Sequence, residues 1–151
     1  MAAVIRVSRE ALLPYSAQQM YDIVNDVEAY PEFLPWCSGA AVLESLPERM
    51  TAQVDVEMGG LRQSFTTRNT LQVGAEIRLE LVDGPFSRLR GHWRFSNLGD
   101  AGCKVSLELS FSFGSRLIAS TFGKVFGVAA NQMVDSFRTR AQALYGGRSG
   151  L

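Results

Sequence analysis

No stretch of this chain approaches the roughly 18 consecutive apolar residues that a membrane-spanning helix needs. The opening residues lack the charged start and apolar core of a secretory signal, so a cytoplasmic protein is expected. Cysteine is scarce: Cys37 and Cys103 make neither a metal spacing nor a disulfide framework, and both are expected to be reduced and structural. There is one histidine, His92. No phosphate-cradling glycine loop, nucleophile elbow or cluster of metal ligands is present, so no metal or cofactor is expected. Neither charge sign is in excess, with Lys+Arg and Asp+Glu at 15 each, which argues against bulk capture of DNA or an anionic membrane and leaves local patches. The acidic run Asp26, Glu28 and Glu32 reads as a solvated face rather than an acid/base pair.

What is present is globular. The chain has 151 residues, 46% hydrophobic and 20% charged, which fits one domain, residues 1–151. A chain of this length buries on the order of 70% of its unfolded surface. Its most unusual segment is YPEFLPWC, Tyr30 to Cys37, with three aromatic side chains, two prolines and a leucine. Proline fixes its own φ and steers its predecessor away from helix, so Tyr30 and Leu34 are expected to be extended in a stiff, irregular loop. So apolar a loop is either a core plug or a lid over a pocket.

The periodicities order the elements. Ala3 to Ser8 alternates as a first strand, and Ser16 looks like the N-cap of a short one-sided helix from Ala17 to Val27, with Met20, Ile23, Val24 and Val27 on its buried side. Beyond the loop, Ala40 to Glu44 reads as a modest strand, and Met50, Ala52, Val54, Val56 and Met58 alternate with polar neighbours. Gly59 and Gly60 supply the positive φ values of a hairpin turn. The returning strand, Leu61 to Val73, places Gln63, Thr67 and Asn69 on the face of Leu61, Phe65 and Leu71. Ile77, Leu79 and Leu81 alternate up to a turn at DGPF, Asp83 to Phe86. Leu89, Gly91, Trp93 and Phe95 then face one way and Arg88, Arg90, His92 and Arg94 the other, where His92 is expected to be exposed and unpartnered. Val105 to Phe113 alternates without an error.

From Arg116 the period becomes helical, with Phe122, Phe126, Ala129, Met133, Phe137, Ala141 and Leu144 close to one stripe and Val125 beside it. Gly123 and Gly127 imply close backbone approach, a kink or a late start, and Gly146 and Gly147 signal a stop. One long helix laid on a curved antiparallel sheet buries both apolar faces, giving an α+β fold. A twisted sheet cannot follow a straight helix along its whole length, which leaves room for a cavity. Met58, Met133, Gly91 and Ala129 are adaptable or small linings for it. With catalysis weakly supported, a binding protein with an apolar ligand fits these residues best.

YPEFLPWC, the stretch DGPFSRLRGHWRF from Asp83 to Phe95, and MVDSFRTRAQALYG from Met133 to Gly146 occur in this order and cover nearly the whole chain. Together they resemble the START-like superfamily, specifically the coenzyme Q-binding protein and ribosome association toxin (polyketide cyclase-like) family. The resemblance implies a helix-grip fold, in which the sheet wraps the C-terminal helix and encloses a hydrophobic tunnel. It implies two functions. One is carriage of ubiquinone or a related isoprenoid lipid in support of respiratory electron transfer, without catalysis and with transient contact at the inner membrane. The other is a toxin that binds the large ribosomal subunit and hinders subunit joining and translation.

For the lipid reading, strand parity and the helix stripe give a lining of Val54, Val56, Phe65, Leu79, Leu81, Trp93, Phe95, Phe111, Phe126, Met133 and Phe137. Tyr30, Phe33, Leu34 and Trp36 form or gate the mouth. For the ribosome reading, Arg88, Arg90 and Arg94 with His92 offer a basic surface, and Arg138, Arg140 and Arg148 another. The plainer alternative pairs the strand arginines with Glu80 and Glu108 as a solvated face. A polyketide cyclase-like enzyme would need a polar group inside the tunnel, for which Gln63, Thr67 and Asn69 are the inward candidates.

Overall fold

The computed structural model describes residues 4–146. Ala3, Gly147 and Arg148, named above for the first strand, the helix stop and a basic patch, lie outside them. Strands β1 (Ile5–Leu13), β2 (Cys37–Leu46), β3 (Arg49–Met58), β4 (Leu61–Gln72), β5 (Glu76–Asp83), β6 (Phe86–Asn97) and β7 (Cys103–Phe113) form one antiparallel sheet in the order β1-β7-β6-β5-β4-β3-β2. Helix α1 (Ala17–Asn25) and a 3-10 helix (Val27–Glu32) follow β1, and α2 (Arg116–Tyr145) ends the described chain. This is the expected helix-grip arrangement, a curved sheet with one long helix over its inner face.

Where alternation was clean, the structure follows it. Met50, Ala52, Val54 and Val56 of β3 are buried, as are the odd-numbered residues Cys103 to Phe113 of β7. The turn between β3 and β4 has φ of +59° at Gly59 and +81° at Gly60, values that glycine adopts without steric cost. Strand β1 runs past the expected Ser8 to Leu13, because β7 offers a continuous register from Ile5 opposite Phe111 to Leu13 opposite Cys103. Pairing extends it where the polar pair Arg9 and Glu10 breaks the hydrophobic pattern. Strand β2 is also longer than the alternation suggested, with register breaks between Cys37 and Gly39 and between Val42 and Glu44 that obscure its period.

Helix α1 is closed by a capping box: Ser16 Oγ accepts from the Gln19 N–H at 3.0 Å, and Gln19 Oε1 accepts from the Ser16 N–H at 2.9 Å. The helix stops at Asn25, and the chain continues as the 3-10 helix that contains Pro31. Tyr30 is therefore helical, contrary to the extended expectation. The bias before proline is overridden because Tyr30 is fixed from both ends: its hydroxyl donates to the Val24 carbonyl, and its own carbonyl accepts from the N–H groups of Phe33 and Leu34.

Helix α2 begins at Arg116, where Ser115 Oγ accepts from the Ile118 N–H at 3.4 Å, so no late start explains its two glycines. A Cβ on Gly123 would lie 3.1 Å from the Phe113 ring, the signature of close approach to β7, whereas nothing lies within 4 Å of that position at Gly127. Leu144 leaves the buried stripe and is 51% exposed, while Val134 is buried. A straight helix drifts about 20° per seven residues against a heptad spacing. After Ala141, the last buried residue of α2, Leu144 faces outward.

Candidate functional site

Between the sheet's inner face, α1 and α2 lies an apolar cavity of about 70 Å³. Of the expected lining, Val54, Phe65, Leu79, Trp93, Phe126 and Met133 form its wall, and Tyr30 and Trp36 of the aromatic segment close one side. The others are packed elsewhere. Val56 and Phe111 are wholly buried in the core, and Phe111 stacks edge-on against Phe86 and Phe126. Phe95 lies against Tyr21 and Trp93, and Leu81 is a half-buried contact beside the β5–β6 turn. Phe137 fills the space beneath Tyr30, Phe33 and Trp93, and Leu34 is buried under the lid. A close-packed aromatic cluster thus occupies much of the interior that parity alone would leave open.

The wall also includes Ala52 and Leu109, which strand parity places inward, and Val24, Asn25 and Val27 from the end of α1 and the turn after it. Besides the Tyr30 phenol, its polar side comes from three residues. Thr67 Oγ1 donates to Asn69 Oδ1 at 2.8 Å with both residues buried, and Asn25 Oδ1 is buried without a hydrogen-bond partner among the described residues. Asn25 gave no sequence signal because it sits at a helix end among residues of the polar face. Gln63, the third inward candidate, is not on the wall. Gly91 shapes the floor: a Cβ there would approach Leu79 Cδ1 to 2.8 Å and Leu109 Cδ1 to 3.1 Å, so its absence lets those leucines close over the strand. Burial drives the Tyr30 phenol well above its ordinary range, and the Cys37 thiol beside it is pushed up to about 11, chiefly by desolvation.

The lid is held from outside by Arg140, which donates to Glu32 Oε1 at 3.0 Å and lies over the Phe33 ring. Phe33 therefore seals rather than lines the cavity.

The outer face of the sheet differs from expectation at its histidine. His92 is only 16% exposed in its side chain, and its Nε2 lies 2.5 Å from Glu76 Oε1. Arg78 and Arg94 reach the same carboxylate oxygen at 3.6 and 4.0 Å. The hydrogen bond with His92, more than any other influence, holds the Glu76 carboxyl below the usual range. The arginines do not pair with Glu80 and Glu108: Arg94 goes to Glu76, and among the described residues Arg88 and Arg90 enter no ion pair. The second basic patch is dispersed, since Arg138 pairs with Asp135 at 3.5 Å and Arg140 with Glu32. No helix among the described residues is long and apolar enough to cross a membrane.

Comparison with known proteins places this geometry. A family model described as polyketide cyclase / dehydrase and lipid transport matches residues 13–138. A Pseudomonas aeruginosa protein named ribosome association toxin RatA is 50% identical over 140 residues, spanning 93% of this chain and 97% of the relative. The Xenopus laevis protein named coenzyme Q-binding protein COQ10 homolog B, mitochondrial, is 31% identical over 94% of this chain and 60% of its own length. Among solved structures, the Zhui aromatase/cyclase from Streptomyces sp. R1128 superposes with a TM-score of 0.82 over 99% of this chain and all of that one; at 14% identity the likeness is one of fold.

Proposed function

Since the chain belongs to the polyketide cyclase / dehydrase and lipid transport family, we propose that it uses the fold for binding without catalysis and associates with the ribosome, on the large subunit, hindering subunit joining. The observation that carries this reading is the nearly end-to-end likeness to the Pseudomonas aeruginosa protein named for ribosome association. Two features of the molecule support it. The cavity of about 70 Å³ is well below the roughly 300 Å³ at which pockets for drug-sized ligands begin, so the fold as it stands has little room for a polyisoprenoid. The outer face meanwhile presents exposed Arg88 and Arg90, which among the described residues enter no ion pair. Against catalysis, the polar groups of the cavity wall are the amides of Asn25 and Asn69, the Thr67 hydroxyl and a Tyr30 phenol whose ionisation burial suppresses. Ribosome association would place the protein in the cytoplasm.

Sucrose-gradient sedimentation with isolated subunits at two salt concentrations tests the reading. Comigration with the large subunit that weakens as salt rises is the expected result. Protein that stays at the top of the gradient with either subunit rules it out.

One observation favours a second reading, binding of an isoprenoid quinone or other lipid: the cavity is apolar and carries an acceptor, Asn25 Oδ1, unsatisfied among the described residues and suited to a hydroxyl donor such as the reduced, quinol form presents. Movement of the Tyr30–Trp36 lid would then admit the tail, each buried methylene contributing about 0.8 kcal/mol. Native mass spectrometry of freshly purified protein with lipid extraction tests this. Val54→Asp or Met133→Asp should abolish co-purification in protein that circular dichroism shows to be folded, and lipid retained at wild-type stoichiometry would defeat it.

A further inference from the structure

The charge of this chain is neutral in sum and uneven in place. Residues 22–57 hold eight of the fifteen carboxylates but only one of the fifteen basic residues, Arg49. That segment builds the end of α1, the lid, β2 and all but the last residue of β3; the other basic residues fall on the rest. Thirteen of the fifteen are arginine, the side chain whose planar fork matches phosphate oxygens.

Strand register gathers a set of these arginines into a line. Across the outer face Arg6 of β1 stands opposite Ser110 of β7, Ser110 opposite Arg90 of β6, Arg90 opposite Glu80 of β5, and Glu80 opposite Arg68 of β4. An arginine thus recurs on every second strand, at intervals of about 9.6 Å given the usual strand spacing. Arg6, Arg68 and Arg90 are all exposed, and so is Arg88, two residues before Arg90 on the same side of β6. Among the described residues none of these four has a carboxylate within 4.0 Å, even though Glu80 stands in the row itself. Glu76 instead holds Arg78, His92 and Arg94 in the neighbouring rows. A shallow depression of about 570 Å³ is lined by Arg6, Arg78 and Arg90 together with Ser8 and Ser110, and by the carboxylates Glu80 and Glu108.

We infer that this arginine row is the surface that meets ribosomal RNA, gripping its phosphate backbone; the inference rests on the ribosome reading above. Guanidinium forks and serine hydroxyls are phosphate-contacting groups, and contacts of this kind recognise the shape of an RNA helix rather than its sequence. An anionic membrane is the poorer fit. The residues between the arginines are serine and glutamate, with no large apolar side chain in the row to anchor in lipid. The acidic segment sets the orientation, since a polyanion repels the β2–β3 side while it attracts the row.

The test compares two variants with the same change of charge. Arg6→Gln, Arg68→Gln and Arg90→Gln together remove the row; Arg49→Gln, Arg62→Gln and Arg116→Gln together remove three arginines outside it. Binding to isolated large subunits is measured across a salt series. The row variant should bind about tenfold or more weakly near 0.1 M salt, and its slope of log affinity against log salt should shrink by about 2. The second variant should stay within about twofold of wild type. Circular dichroism checks folding, and should the triple row variant not fold, Arg90→Gln alone should show about a third of the slope change.

Equal losses in the two variants, or wild-type binding by a folded row variant, would overturn the surface while leaving ribosome association intact. Retained subunit binding with lost binding to vesicles rich in phosphatidylglycerol would overturn it in favour of a membrane. If wild-type protein binds neither subunit, the ribosome reading itself has failed.

Discussion

The Arg140 guanidinium lies 4.9 Å from the centroid of the Phe33 ring while it donates to the adjacent Glu32 carboxylate at 3.0 Å. One residue near the end of α2 therefore clasps two consecutive residues in the middle of the lid. Arg140 is 18% exposed in its side chain and Glu32 64%, so the ion pair is partly screened and the ring contact adds to it. Arg140→Ala should lower stability by about 1 kcal/mol and loosen the lid more than the sheet. Acrylamide quenching separates the two: Trp36 fluorescence should become more quenchable while Trp93, in the core, does not, as read in single-tryptophan variants. Equal quenching before and after the substitution would show that the clasp does not hold the lid.

The Thr67 and Asn69 pair gives a stability test of the cavity wall. Both residues are buried, and Thr67→Val removes the donor while leaving Asn69 Oδ1 in an apolar setting. The expected loss is about 1–2 kcal/mol, read as a fall in urea midpoint at constant m-value. Removing both partners with Thr67→Val and Asn69→Leu should recover part of that loss, because no orphaned polar group remains. An unchanged midpoint in the single variant would mean that Asn69 is satisfied from another side.

Both thiols should be inert in the folded protein. Cys37 and Cys103 are buried, and desolvation pushes each up to about 11, which leaves a thiolate fraction on the order of one in a thousand at pH 8. Reaction with a chromogenic disulfide reagent should be slow in buffer and complete within minutes in denaturant. Rapid release of one equivalent from native protein would show that the lid beside Cys37 opens readily.

Acid should weaken the outer face through Glu76. Its folded value is depressed, first by the His92 hydrogen bond, so the stability it contributes is fully present above the unfolded carboxyl value near 4.3–4.5 and is lost as pH falls through the lower folded value. Thermal melting of wild type and Glu76→Gln should differ at pH 6 and converge as pH drops towards 3. A constant gap over that range would assign the difference to something other than this ionisation.

The parts of the fold legible in the sequence were those whose side chains obey a single period. Val54 and Leu107 could be placed inward from alternation, and Phe126 and Ala141 from the helical stripe, since burial on one face imposes the pattern directly. What escaped depended on a second element. The partner of His92 is sixteen residues away on β5 and reaches it only through the β5–β6 register, which alternation does not specify. Tyr30 is helical because of a hydroxyl contact with the Val24 carbonyl, a tertiary detail that outweighs the preference set by Pro31. The cavity was placed correctly between sheet and helix. Its extent was not legible, because whether Phe137 lines a space or fills it depends on rotamers that the spacing of residues leaves free.

The strand order has a consequence for how the molecule comes into being. Every neighbour in the sheet is joined by a hairpin except β1, whose partner β7 lies some hundred residues later in the chain. During synthesis the first strand must wait, its backbone groups bonded to water rather than to a strand, until about residue 113 has emerged, and its docking is the slow, entropically costly step that joins β1 to the last strand. Nascent chains halted before that point should be prey for proteases and chaperones, and resistance should come only once α2 has also emerged to cover the sheet's inner face.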